Sequence, residues 1–314
     1  MHNEPRLHTG RLQMLSLLDS LGTVRAVAAA LHLSPSAVSA QLAVLESEAR
    51  VELLQRSGRR VRLTAAGRAL ARHARVILDQ VRAAEAELDG LSGRPTGPVR
   101  LAAFSSAVRR LAIPLAARLR ETHPGIALEL SELDPGASHP ALRRGDCDVI
   151  VTADFADGSL PVDPDVRAIP LLADAIVLVT AADRGESGPA DLADHAHAGW
   201  ALDLPGTYLS NLILATCRRA GFEPSVAGRF ASYELLLAHV EEGLSVSLLP
   251  GLAVDPRFKV TARPLKDPMT RQVYAAVRGR APLTAATRAV LDELRDLAAH
   301  TFPGPAAGEG PTGR

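Results

Sequence analysis

Residues 23 to 48 read TVRAVAAALHLSPSAVSAQLAVLESE, and their spacing decides the fold of the N-terminal part. Val24, Val27, Ala28 and Leu31 recur at helical intervals behind Thr23, a residue type suited to capping a helix. Val38, Leu42 and Leu45 recur likewise behind Ser34 at the N-cap and Pro35 at the first helical position. Only His32 and Leu33 separate Leu31 from Ser34, so the second helix must turn sharply against the first. That is the geometry of a helix-turn-helix, in which the second helix is the candidate reader of DNA. Its outward side offers Ser36, Ser39, Ala40 and Ala43 with Gln41 at the edge, and no acid appears until Glu46. Small uncharged groups of this kind can approach the floor of a major groove.

Working outward, Leu12, Leu15, Leu18 and Leu21 stand three apart, which predicts a helix packed behind the pair and ended by Gly22. Downstream, VELLQRSGRRVRLT places the turn signal Ser57-Gly58 between two short segments. We read it as a β-hairpin wing bearing Arg56, Arg59, Arg60 and Arg62, able to lie along phosphates or enter a narrow minor groove. From Arg50 to Arg75 there are eight arginines against the single acid Glu52, a local net of +7 inside a chain whose total is zero. Such segregation suits a polyanionic partner, although an isolated arginine run is more often a solvated surface. Thr64 then caps a long alanine-rich helix expected to reach about residue 91. Gly67, Leu70, Ala74, Ile77, Val81, Ala84, Leu88 and Leu91 alternate in steps of three and four along it, a coiled-coil pattern that calls for a second helix, either within its own domain or, as we prefer, in a homodimer.

Ser92 to Pro98, SGRPTGP, has linker composition, and beyond it the pattern becomes α/β. VRLAAF, IALEL, DVIVT, AIVLVTA, a stretch near Trp200, SVSLLP and RQVYAAVR read as strands. Leu111 to Glu121, Tyr208 to Ala220, Tyr233 to Glu242 and Thr284 to Ala299 read as helices.

The whole chain of 314 residues, 47% hydrophobic and 22% charged, has room for two or three domains with proper cores. Its strongest apolar stretch, Ala168 to Ala182, is interrupted by Pro170 and Asp174, and residues 1 to 12 lack a secretory pattern, so a cytoplasmic place is expected. Cys147 and Cys217 form no metal or disulfide pattern and read as buried apolar residues. No nucleophile elbow, phosphate loop or dinucleotide turn appears, which disfavours an enzyme. His195 and His197 lack a third ligand and read as solvated, so neither metal nor cofactor is expected.

The stretches AAALHLSPSAVSAQLAVLE, LLQRSGRRVRLTAAG, HPGIALEL, GDCDVIV and GLSVSLLP resemble the LysR-type transcriptional regulators, over nearly the whole span from Leu12 to Leu297. The resemblance implies a multi-domain chain: a winged helix-turn-helix (1–64), a dimerising helix (65–91), a linker (92–98) and an α/β effector domain like periplasmic solute-binding proteins (99–302). A disordered tail (303–314) would follow. Two lobes, about 99–164 with 266–302 and about 165–265, would be joined by two crossing strands and enclose a small-molecule cleft. Carried onto this sequence, the cleft takes Phe104, Ser105, Ser106, Leu133, Asp134, Thr152 and Ala153 from the first lobe. Thr207, Ser232 and Tyr233 come from the second. Each alone is more often a helix cap than a ligand contact. The family commonly has arginine at the position of Ala40. Expected partners are double-stranded DNA, a small effector, further copies of the chain in a homodimer or homotetramer, and RNA polymerase. The competing reading is a cytoplasmic small-molecule binding protein or enzyme whose N-terminal module serves only assembly, and a +7 stretch beside a helix-turn-helix argues against it.

Overall fold

The computed structural model describes residues 6–57, 60–90, 95–154, 166–182, 185, 187–279 and 283–301. They form two compact units, the first running to Pro95 and the second from Thr96. The expected tail (303–314), Leu91, Arg59 and residues 92–94 of the linker lie outside the described residues.

The first unit begins with α1 (Thr9–Leu21), which stops where Gly22 takes a left-handed conformation (φ 73°). Next come α2 (Val24–Ala30) and α3 (Pro35–Ala49). The Thr23 and Ser34 hydroxyls accept the amides of Ala26 and Ala37, so both predicted caps form. His32, at φ 53°, makes the tight turn between them. Strands β1 (Leu54–Ser57) and β2 (Arg60–Leu63) pair antiparallel as the wing. Glu46 of α3 accepts the amides of Leu53 and Leu54, which fastens the wing to the helix.

The Thr64 hydroxyl accepts the Gly67 amide at the start of α4 (Ala65–Gly90). The core unites Leu12, Leu15 and Leu18 with Val38, Leu42, Leu45, Leu53, Ala71 and Ala74. Leu21, expected on that face, is 44% exposed because α1 ends beside it. The heptad-like pattern of α4 also divides. Its first turns lie along α1, tied by Arg75 to Asp19, so Ala74 is fully buried and Leu70 packs on the same core. Ala74 keeps no face for a partner chain, which corrects its placement in a dimer contact, whereas Leu70 is half-buried. Gly67 belongs to this packing too, since a Cβ there would meet the Leu53 carbonyl oxygen at 2.1 Å.

The second unit centres on a six-stranded sheet whose strands run, edge to edge, Ile126–Glu132, Gly97–Ala103, Val149–Asp154, Val260–Arg278, Val166–Ala181 and Ser247–Pro250. Strand β3 (Gly97–Ala103) runs parallel to β4 (Ile126–Glu132) and β5 (Val149–Asp154). Gly97 and Pro98, expected in the linker, are strand residues paired with Ile126 and Ala127. Between β3 and β4 the chain is helical from Ser105, earlier than expected: α5 (Ser105–Ala107), a π turn (Val108–Ala112) and α6 (Ile113–Thr122). Helix α7 (Pro135–Arg144), absent from the sequence reading because it is polar and contains Pro140, precedes β5.

Two long strands, β6 (Val166–Ala181) and β10 (Val260–Arg278), pair antiparallel from end to end, with register shifts between Pro264 and Met269 and between Val273 and Tyr274. The end of β10 joins β5, and the end of β6 joins β9 (Ser247–Pro250). These are the two crossing strands. Residues 166–174 therefore sit with the first lobe, and the lobe boundary falls mid-strand rather than near residue 165. The second lobe adds β7 (Gly199–Leu202) paired with β8 (Ser225–Arg229), α8 (Tyr208–Arg219) and α9 (Tyr233–Glu241). Its core surrounds the fully buried Trp200. Helix α10 (Ala285–Thr301) ends the described chain.

Candidate functional site

Two places in the chain gather the predicted residues: the outer face of α3 with the wing, and the cleft between the lobes. On α3, Pro35, Ser36, Ser39, Ala40 and Ala43 are exposed while Val38, Leu42 and Leu45 are buried, as the spacing predicted. Ser34 caps the helix and its hydroxyl also bonds that of Ser36 at 2.9 Å. Ser39 donates to the Pro35 carbonyl at 2.9 Å. Gln41 is half-buried, its Oε1 accepting from Arg11. In the wing, Arg62 is exposed opposite Gln55, and Arg56 and Arg60 occupy strand positions. Further along α4 an apolar stripe lies open, with Ile77 38%, Val81 39% and Leu88 67% exposed and Ala84 exposed beside them.

The cleft holds a cavity of about 180 Å³. Phe104, Ser105, Leu133 and Asp134 line it from the first lobe, and Thr207, Ser232 and Tyr233 from the second, so most of the carried-over residues meet. Thr152 and Ala153 lie instead on an adjoining chamber of about 380 Å³ with His139 and Tyr274. Tyr208 and Pro135 border both spaces. A larger groove of about 1040 Å³ runs along α8 and the register shift of β10 between Pro264 and Met269, and Tyr208 borders it as well.

The centre of the cleft is a pair that the sequence reading missed. Arg271 of β10 and Asp174 of β6 face each other in register, and the Arg271 Nε and Nη2 bond one Asp174 oxygen at 3.0 and 2.8 Å. Both are buried, at 1% and 5% exposure. Arg271 Nη2 also donates to Ser106, at 3.3 Å, and its guanidinium stacks over the Phe104 ring at 4.4 Å. The other Asp174 oxygen accepts the Leu252 amide in the 3₁₀ turn Gly251–Ala253 of the second lobe. Burial raises the Asp174 carboxyl above its ordinary range, opposed by the adjacent Arg271 charge. A signal for this pair was present, because Arg271 is in phase with Val273, Ala275 and Val277, and Asp174 with Ile176 and Leu178. A charge at the buried phase of a strand requires a partner.

Other groups tie the lobes together. Asp134 accepts the Gly136 amide at the start of α7 and the Tyr208 amide at the start of α8, at 2.9 and 3.3 Å. One carboxylate thus sits between two helix N-termini, where the backbone dipoles favour it. Arg109 of the π turn pairs with Asp255 of the second lobe, holding that carboxyl far below its usual range. Burial raises Asp203, with the nearby Asp134 charge adding to the effect, and it pushes the Tyr233 phenol up to about 12. Ser106, Thr207 and Ser232 already have partners: Ser106 serves Arg271, while Thr207 and Ser232 cap α8 and α9. Ser106 is 3% exposed, which takes it out of direct reach of a ligand in this arrangement.

Two family models cover these units. Residues 10–68 match the bacterial regulatory helix-turn-helix protein of the lysR family, and residues 92–299 match the LysR substrate binding domain. The chain belongs to the LysR family. It is a LysR-type transcriptional regulator, with an N-terminal helix-turn-helix DNA-binding domain and a C-terminal effector-binding domain. A probable hydrogen peroxide-inducible genes activator of Streptomyces viridosporus is 32% identical over 285 residues, covering 88% of this chain and 87% of that one. The probable regulator LrrA of Synechococcus elongatus is 29% identical over 292 residues, covering 92% and 96%. A full-length OxyR variant from Pseudomonas aeruginosa shares the fold, with a TM-score of 0.71 at 23% identity and coverage of 92% and 98%. Within this LysR-type chain, no single described helix is long and apolar enough to cross a membrane, and no described cluster of side chains could hold a metal ion. His195, read as solvated, is buried, with its ring 3.2 Å from Arg263 and its carbonyl accepting from Trp200.

Proposed function

We propose that α3 enters the major groove with Ser36, Ser39, Ala40 and Ala43 toward the bases, while Arg56, Arg59, Arg60 and Arg62 of the wing follow phosphates. Ile77, Val81, Ala84 and Leu88 of α4 pair with a second copy, giving two reading heads. A small effector occupies the cleft, and the protein acts in the cytoplasm as a non-enzymatic regulator, with RNA polymerase its partner at the promoter.

The observation that carries the effector reading is the bridging of the cavity by both lobes at once. Asp134 reaches from one lobe to the first amide of α8 in the other, and the Arg271–Asp174 pair sits on the strands that cross between them. A ligand that engages this cavity must favour one lobe arrangement over another, and only that difference in affinity drives a response.

Peroxide sensing, suggested by the name of the Streptomyces relative, is the second reading. A thiol that reacts with peroxide is accessible and has a lowered pKa. Cys147 and Cys217 are both buried, and burial pushes the Cys217 thiol up to about 12. We therefore favour a bound metabolite. Gel shifts with DNA flanking the gene, run with candidate metabolites and separately with peroxide, test the choice. The expected result is a metabolite-dependent shift and no peroxide effect, whereas a peroxide response abolished by Cys217→Ser would reverse it.

A further inference from the structure

The α3 helix has few groups free to form hydrogen bonds in a groove. Between Pro35 and Ala49 it contains no lysine, arginine or histidine, which removes the bidentate contact that most often reads guanine. Gln41 is its only amide side chain. Adenine is read by an amide that accepts and donates together, but the Gln41 oxygen is taken by Arg11, which is itself held by Glu48. Glu46, a candidate acceptor for cytosine, is committed to the Leu53 and Leu54 amides. The Ser36 and Ser39 hydroxyls are turned onto Ser34 and onto the Pro35 carbonyl, and Ser47 alone of the α3 serines is left with an exposed hydroxyl outside these bonds, one turn beyond Ala43.

Between Ser39 and Ser47 what remains outward is carbon. Ala40 and Ala43 are exposed on the same side, one turn apart, and Val44 next to them is 42% exposed. Side chains three apart on a helix stand about 5–6 Å from each other, which spans roughly one to two base steps. Building on the placement of α3 in the groove, we propose that this regulator reads its operator through thymine 5-methyl groups packed against the Ala40 and Ala43 methyls. The operator half-site then carries two thymines, on either strand, within one or two steps of each other. Apolar contact with the thymine methyl is the one base-edge interaction these side chains can make.

Full-length protein and duplexes selected from a random library provide the test. Each thymine of the selected site is replaced in turn by uracil, which keeps the hydrogen-bonding edge and lacks only the methyl. Two positions per half-site should each weaken binding about fourfold, the value of one buried methyl group. Purines replaced by their 7-deaza forms, which lack the N7 acceptor, should change affinity less than about twofold. Ala40→Gly should erase one uracil penalty and Ala43→Gly the other, with melting curves confirming that each variant is folded. Tolerance of uracil everywhere overturns the proposal, as does a selection that returns no preferred sequence. Ser39→Glu protein that still binds the selected duplex would instead refute the placement of α3 itself, so the two failures are distinguishable.

Discussion

Replacing Arg271 with methionine removes one half of the buried pair on the crossing strands and keeps much of the volume. Asp174, at 5% exposure, would then face the interior with only backbone amides of the Gly251–Leu252 turn as partners. Breaking such a pair costs about 3–5 kcal/mol, since the desolvation of the remaining charge is no longer offset. For a unit of this size about 2–4 °C is lost per kcal/mol, so the effector domain should melt roughly 6–20 °C lower. Arg271→Met with Asp174→Leu should recover most of this, leaving about 1–3 kcal/mol for the stranded Leu252 amide. A double-mutant cycle on melting or urea unfolding should therefore show coupling of about 2 kcal/mol or more.

The defect has a pH signature. Burial already raises the Asp174 carboxyl, and losing Arg271 removes the main opposing influence, so it rises further in the variant. A folded-state value above the unfolded one, about 3.9, stabilises the protein at low pH, and that stability is lost as pH rises through the folded value. The variant's deficit should be greatest near pH 8 and shrink toward pH 5. A single-variant loss below about 1 kcal/mol, or a deficit equal at both pH values, would show that the pair is wetter than its burial implies.

Gly67→Ala should destabilise the N-terminal unit by about 1–3 kcal/mol, because its Cβ would lie 2.1 Å from the Leu53 carbonyl oxygen; an unchanged melting temperature would contradict that packing. A fragment of residues 1–91 should sediment as a dimer, and Ile77→Glu with Val81→Glu should make it a monomer; a dimeric double variant would rule out the open stripe of α4 as the contact. Removing Arg59 and Arg60 should weaken binding to all DNA and lower the salt slope by up to about two, so an unaltered slope would deny the wing its phosphates.

The sequence alone determined what neighbours along the chain can decide. Thr23, Ser34 and Thr64 cap helices through atoms three residues away, and the α3 spacing of Val38, Leu42 and Leu45 set which side faces in. The chain-wide pattern also carried the family and most of the cleft, because strand ends and helix starts are local features. Tertiary structure decided what depends on partners distant in sequence. Arg271 and Asp174 are 97 residues apart, and only strand pairing brings each to the other. The first halves of β6 and β10 contain Pro170, Pro264 and Pro268 and do not alternate cleanly, so their strand character comes from pairing, each with the second half of the other strand, rather than from propensity. The periodic apolar positions of α4 look alike in sequence, yet α1 covers Leu70 and Ala74 and leaves Ile77, Val81 and Leu88 open. Periodicity marks a face to be buried, and the arrangement of the other elements decides what buries it.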